Sequence, residues 1–94
     1  MTQPQRQIQI RATDQELKGS YSNLMRVGHT QEEFVLDFFS VSEEIGMLAS
    51  RIFMNPAHLK RMLGALEDNM KRYEERFGKV TPAEATVSEM GFQV

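Results

Sequence analysis

The chain contains no cysteine and no tryptophan, only three prolines, and almost no excess charge of either sign. Without cysteine there is no disulfide framework and no thiolate metal site, which suits a reducing compartment. No window approaches the roughly 20 consecutive apolar residues of a membrane span. The opening "MTQPQRQIQI" lacks the apolar stretch of a secretory signal. A cytoplasmic protein with no membrane partner is the expectation. Eleven basic against 13 acidic residues give a net charge of −2, so no global field draws the chain to nucleic acid or acidic lipid.

What is present is an ordinary globular composition, 40% apolar and 26% charged, too apolar for wholesale disorder. With 94 residues there is room for one domain, whose core must be small or completed by a partner. That domain is expected over 1–78. Residues 79–94 read as a flexible tail in which Val87, Met90 and Phe92 are placed to dock on a partner.

Hydrophobic periodicity divides the domain into a strand-rich first half and a helical second half. "RQIQIR", 6–11, alternates with Ile8 and Ile10 on one side, as a polar edge strand does. "ATDQELKGS" reads as a connection with one turn of helix. Alternation resumes over 20–29, over 32–41 in "EEFVLDFFSV", and over 46–54 in "MLASRIFM" and its preceding glycine. Asn55-Pro56 then stops the strand and starts a helix, with Asn55 as cap and Pro56 in the first turn. Leu59, Leu63, Leu66, Met70, Tyr73 and Phe77 follow at spacings of 4, 3, 4, 3 and 4, with Met62 beside Leu63, and Gly78 ends the helix. The expected fold is therefore α+β: a four-stranded antiparallel sheet followed by one long helix, 56–77, packed on one sheet face. The same 3-4 spacing is also the seam of a coiled coil between protomers, but Gly64 and the short length favour packing on the sheet.

Taking Thr30 and Gln31 as the first hairpin loop sets Val27 opposite Phe34 and Met25 opposite Leu36. Taking 42–45 as the second sets Phe34 opposite Phe53 and Leu36 opposite Arg51. One face then carries Tyr21, Met25, Val27, Phe34, Leu36 and Phe53. The other carries Leu24, Val35, Phe39, Leu48 and Ile52, with Arg26 diagonal to Asp37 as a structural ion pair. One helix covers one face, and five large apolar residues exceed the patch a monomer usually exposes. Self-association through Leu24, Val35, Phe39, Leu48 and Ile52 is the expected solution. The alternative is that the tail or the N-terminal segment folds over them.

The segments "YSNLMRVGHTQEEFVLDFFSV" and "SRIFMNPAHLKRMLGALEDNMKRYEERFG" resemble the small bacterial family catalogued as domain of unknown function 3467, across roughly residues 16–78. The resemblance implies no catalytic or ligand residue. In the order of its elements alone, the expected fold is also similar to protomers of a bacterial export chaperone, an analogy that no residue pattern supports.

Catalytic signals are missing. His29 falls in an expected turn and His58 in the first helical turn, there is no HExxH, GxSxG or phosphate-binding glycine loop, and the adjacent pairs Glu32-Glu33, Glu43-Glu44 and Glu74-Glu75 read as solvated. No catalytic, cofactor-binding or metal-binding residue is assigned, and the chain is not expected to be an enzyme. Arg61, Arg72 and Arg76 are the residues that would contact nucleic acid, but interleaved acids cancel most of their field. The expected role is a homo-oligomeric, homodimeric or larger, protein-interaction module, scaffold- or chaperone-like, with itself and other proteins as partners. The alternative is a small nucleic-acid-associated protein.

Overall fold

The computed structural model describes residues 6–83. Its elements are α1 (Asp14–Lys18), β1 (Leu24–His29), β2 (Phe34–Ser42), β3 (Ile45–Met54) and α2 (Pro56–Phe77). The strands form an antiparallel sheet in the order β1-β2-β3, so the long apolar strand β2 lies in the centre.

The sheet has three strands, not four. Residues 6–11 lie outside any ladder, with Ile8 72% and Ile10 90% exposed. Two apolar residues in an alternating run supply the strand period but too little side chain to hold a fourth strand on the sheet. The chain enters the sheet instead through α1, closed by a reciprocal cap between Thr13 and Glu16. Asn23 then extends the β1 edge. Its side-chain amide donates to the Val41 carbonyl at 2.9 Å and its Oδ1 accepts from the Val41 N–H at 2.8 Å, imitating one more ladder residue.

The β1–β2 loop spans 30–33, closed by the Thr30 N–H donating to the Glu33 carbonyl at 2.9 Å. Val27 therefore pairs with Leu36, and Met25 with Phe38, two residues away from the register expected with a two-residue loop. A shift of two preserves the side-chain faces. The β2–β3 turn is tight, with Ser42 paired to Ile45 and Glu43 held at φ 56.

On the β2–β3 ladder the outcome differs. Near the turn Phe39 pairs with Leu48, but Phe38 pairs with Ser50, so Ala49 has no partner and forms a bulge. Beyond it Leu36 faces Ile52, Asp37 faces Arg51, and Val35 faces Phe53. The expected pairings of Phe34 with Phe53 and Leu36 with Arg51 are thus displaced by one residue, and Ile52 and Phe53 exchange faces.

Leu36 and Phe39, both on β2, are the only buried apolar side chains among the described residues. Helix α2 begins as its sequence dictates: Asn55 Oδ1 accepts from the His58 N–H at 2.7 Å, and Pro56 occupies the first helical position. It ends where Gly78 adopts φ 98, and the Gly78 N–H donates to the Glu74 carbonyl at 2.9 Å. The expected packing of this helix on one sheet face is not found. None of its 22 residues is buried, and only Leu59, Met62 and Glu74 are half-buried. From Leu63 onward the apolar stripe lies 50% to 65% exposed. A helix can cover the face of its own sheet only if the connection folds it back, and Asn55 alone links β3 to α2.

Candidate functional site

Two features of the molecule concentrate chemistry: an ion cluster at the middle of the sheet and the apolar stripe of α2.

The cluster is built by register. Arg26 on β1, Asp37 on β2 and Arg51 on β3 are direct cross-strand neighbours, so all three side chains leave the same sheet face. Arg51 Nε donates to Asp37 Oδ1 at 2.6 Å and its Nη2 to Oδ2 at 3.0 Å, a bidentate grip. Arg26 Nη2 donates to the same Oδ2 at 2.8 Å, and its guanidinium lies 5.6 Å from the Phe39 ring centroid. The Asp37 side chain is 4% exposed, while Arg26 and Arg51 keep 31% and 48% of theirs in contact with solvent. The hydrogen bonds from Arg51, then those from Arg26, hold the Asp37 carboxyl at about 2, below its ordinary 3.8, against the opposing effect of burial. The same contact raises Arg51. A carboxylate so tightly engaged is a poor general base: it gives up its hydrogen bonds to accept a proton. The cluster ties three strands together.

Arg51 is the member that alternation alone misses. An unbroken strand places Arg51 on the Leu36 face, and only the unpaired Ala49 turns it toward Asp37. The signal in the sequence that points to it is chemical: a lone carboxylate in an apolar strand, with more than one arginine in reach.

Of the residues expected at an oligomer interface, Leu24, Val35, Phe39 and Leu48 share the face of the ion cluster. Ile52 does not. The bulge sets it beside Leu36 and Val27 on the opposite face, 42% exposed, while Phe53 takes its place, 59% exposed.

The three arginines considered for nucleic acid all lie on α2, but each has an intramolecular engagement. Arg61 Nη2 lies 3.0 Å from His58 Nδ1, Arg72 Nη2 donates to Asp68 Oδ2 at 2.7 Å, and the Arg76 guanidinium is 5.3 Å from the Phe77 ring centroid. His58 and Arg61 also line an open recess of about 600 Å³ with Glu32, Glu33, Phe53, Met54 and Asn55. Among the described residues no group of three or more His, Asp or Glu is placed to hold a metal ion, and no helix is long and apolar enough to cross a membrane. The tail residues Val87, Met90 and Phe92 lie outside the described residues.

A three-stranded meander followed by a long helix defines a small α+β domain. The chain belongs to the family described as protein of unknown function DUF3467, which it matches over residues 1–82. No curated protein and no solved structure matches it.

Proposed function

We propose that this protein is a non-enzymatic, cytoplasmic homo-oligomer that works as a protein-interaction module, scaffold- or chaperone-like in character. One observation carries the reading: α2, 22 residues long with an apolar stripe along its length, has no residue buried against the described residues of its own chain. An isolated helix is marginal in water, and helices in proteins draw most of their stability from packing an amphipathic face. Among the described residues the buried apolar side chains are Leu36 and Phe39, both on β2 and neither on the helix. A second copy supplies the missing contacts. The stripe and the sheet contribute Met25, Phe53, Met70 and Phe77, adaptable side chains of the kind that accommodate protein partners.

Light scattering on the wild type and on a Leu66→Asp, Met70→Asp variant tests this reading, with circular dichroism to follow folding. The expected result is a wild-type dimer or larger species, and a variant of reduced mass that keeps its sheet signal. A wild-type chain that is monomeric and fully helical at micromolar concentration overturns it. The nucleic-acid alternative predicts salt-sensitive retention on heparin, and the pairing of Arg61, Arg72 and Arg76 within the chain does not favour it.

A further inference from the structure

We infer that the occupant of the α2 stripe is the α2 of a second copy, running antiparallel, in a register that sets Leu63 against Tyr73, Leu66 against Met70 and Leu59 against Phe77. This rests on the oligomeric reading above and adds the surface, the direction and the register.

The direction follows from charge. The first eleven residues of the helix, 56–66, hold Lys60 and Arg61 and no acid; the last eleven, 67–77, hold Glu67, Asp68, Glu74 and Glu75 against Lys71, Arg72 and Arg76. The two halves therefore carry +2 and −1. A parallel pair stacks the cationic halves together. An antiparallel pair sets each cationic half beside an acidic one and also opposes the helix dipoles.

The register follows from the spacing. Six apolar residues alternate at steps of 4 and 3, and full overlap of two antiparallel copies puts every aromatic opposite a leucine. A parallel pair instead crowds Tyr73 on Tyr73 and Phe77 on Phe77 at one end. In the antiparallel register Lys60 flanks Glu74 of the other copy twice, once on each side of the dyad, and Glu67 meets its own counterpart once. The favourable contacts outnumber the unfavourable one. Leu63, Leu66, Met70, Tyr73 and Phe77 leave on the order of 600 Å² uncovered per copy, so the pair buries about 1,200 Å², the lower edge of a specific interface.

The chain has no cysteine, so single thiols are unambiguous probes. Asp68→Cys and, separately, Glu75→Cys place a nitroxide on the outer face of α2, away from the stripe, and the distance between the two copies is read by pulsed electron resonance. In the antiparallel register the axial separation is near zero at 68 and about 21 Å at 75, so the distance is longer at 75. Equal distances at the two positions mean a parallel pair or an antiparallel pair in a different register and overturn the inference, while self-association stands. A dimer by light scattering that shows no ordered distance at either position moves the interface to the sheet and also overturns it. A monomer by light scattering overturns both this inference and the oligomeric reading.

Discussion

Arg51 stands directly across the sheet from Asp37 and donates to both of its carboxylate oxygens, at 2.6 and 3.0 Å. The residue that makes this possible is Ala49, which has no partner of its own. A single unpaired residue thus decides which of two faces receives a cation, a consequence of the two-residue period of a strand.

Deleting Ala49 is therefore expected to close the bulge rather than disturb the sheet. The flanking pairs, Phe39 with Leu48 and Phe38 with Ser50, then become consecutive rungs of one regular ladder that keeps Arg51 opposite Asp37. Amide exchange along β3 is expected to retain its protection across 50–54. Loss of that protection, or of the Arg51–Asp37 contact, speaks against Ala49 as the unpaired residue.

The ion cluster should leave a signature in acid. Asp37 titrates at about 2 in the folded chain and near 3.8 when free, so its folded value is depressed. Its contribution is complete above about 3.8 and is lost as pH falls through about 2. Asp37→Asn should melt at a lower temperature than the wild type at pH 6, and the gap should narrow between pH 4 and pH 2. Melting curves for both proteins across that range provide the check, and a gap independent of pH contradicts the assignment.

Leu36, 3% exposed in the centre of the sheet, is one of two buried apolar anchors among the described residues. Leu36→Ala should cost about 3 kcal/mol by loss of burial and creation of a cavity. Ile10→Ala, at a side chain 90% exposed, should be neutral within about 0.5 kcal/mol. Urea denaturation of the two variants distinguishes them.

The ends of α2 offer a more local test. Asn55→Ala removes the acceptor for the His58 N–H and should cost about 1 kcal/mol. Gly78→Ala places a Cβ on backbone at φ 98 and should cost about 1 kcal/mol as well. Both act on the helix terminus, so helical ellipticity and the denaturation midpoint should fall together.

Because no residue of α2 is fully buried against the described residues of its own chain, its helicity should depend on protein concentration. Ellipticity at 222 nm is expected to fall on dilution below the dissociation constant. A signal unchanged down to nanomolar concentration in a chain of monomeric mass points to a helix stable by itself.

What the chain declares locally is considerable. Asn55-Pro56 and Gly78 bound α2 because capping, the missing proline N–H and a left-handed glycine act within a few residues of the helix ends. The 3-4 spacing from Leu59 to Phe77 sets its apolar stripe, and alternation in "EEFVLDFFSV" sets two faces for β2. Family membership, too, was readable from "YSN", "EEFVLDF" and the helix pattern. Other outcomes depended on partners distant in sequence. Residues 6–11 have the period of a strand but no ladder to join, and Ile52 lies on the face opposite Phe39 because Ala49 interrupts a pairing no local pattern reveals. The cluster of Arg26, Asp37 and Arg51 draws on all three strands. Periodicity describes what each segment can bury; the sheet register and the course of α2 decide what is there to bury it.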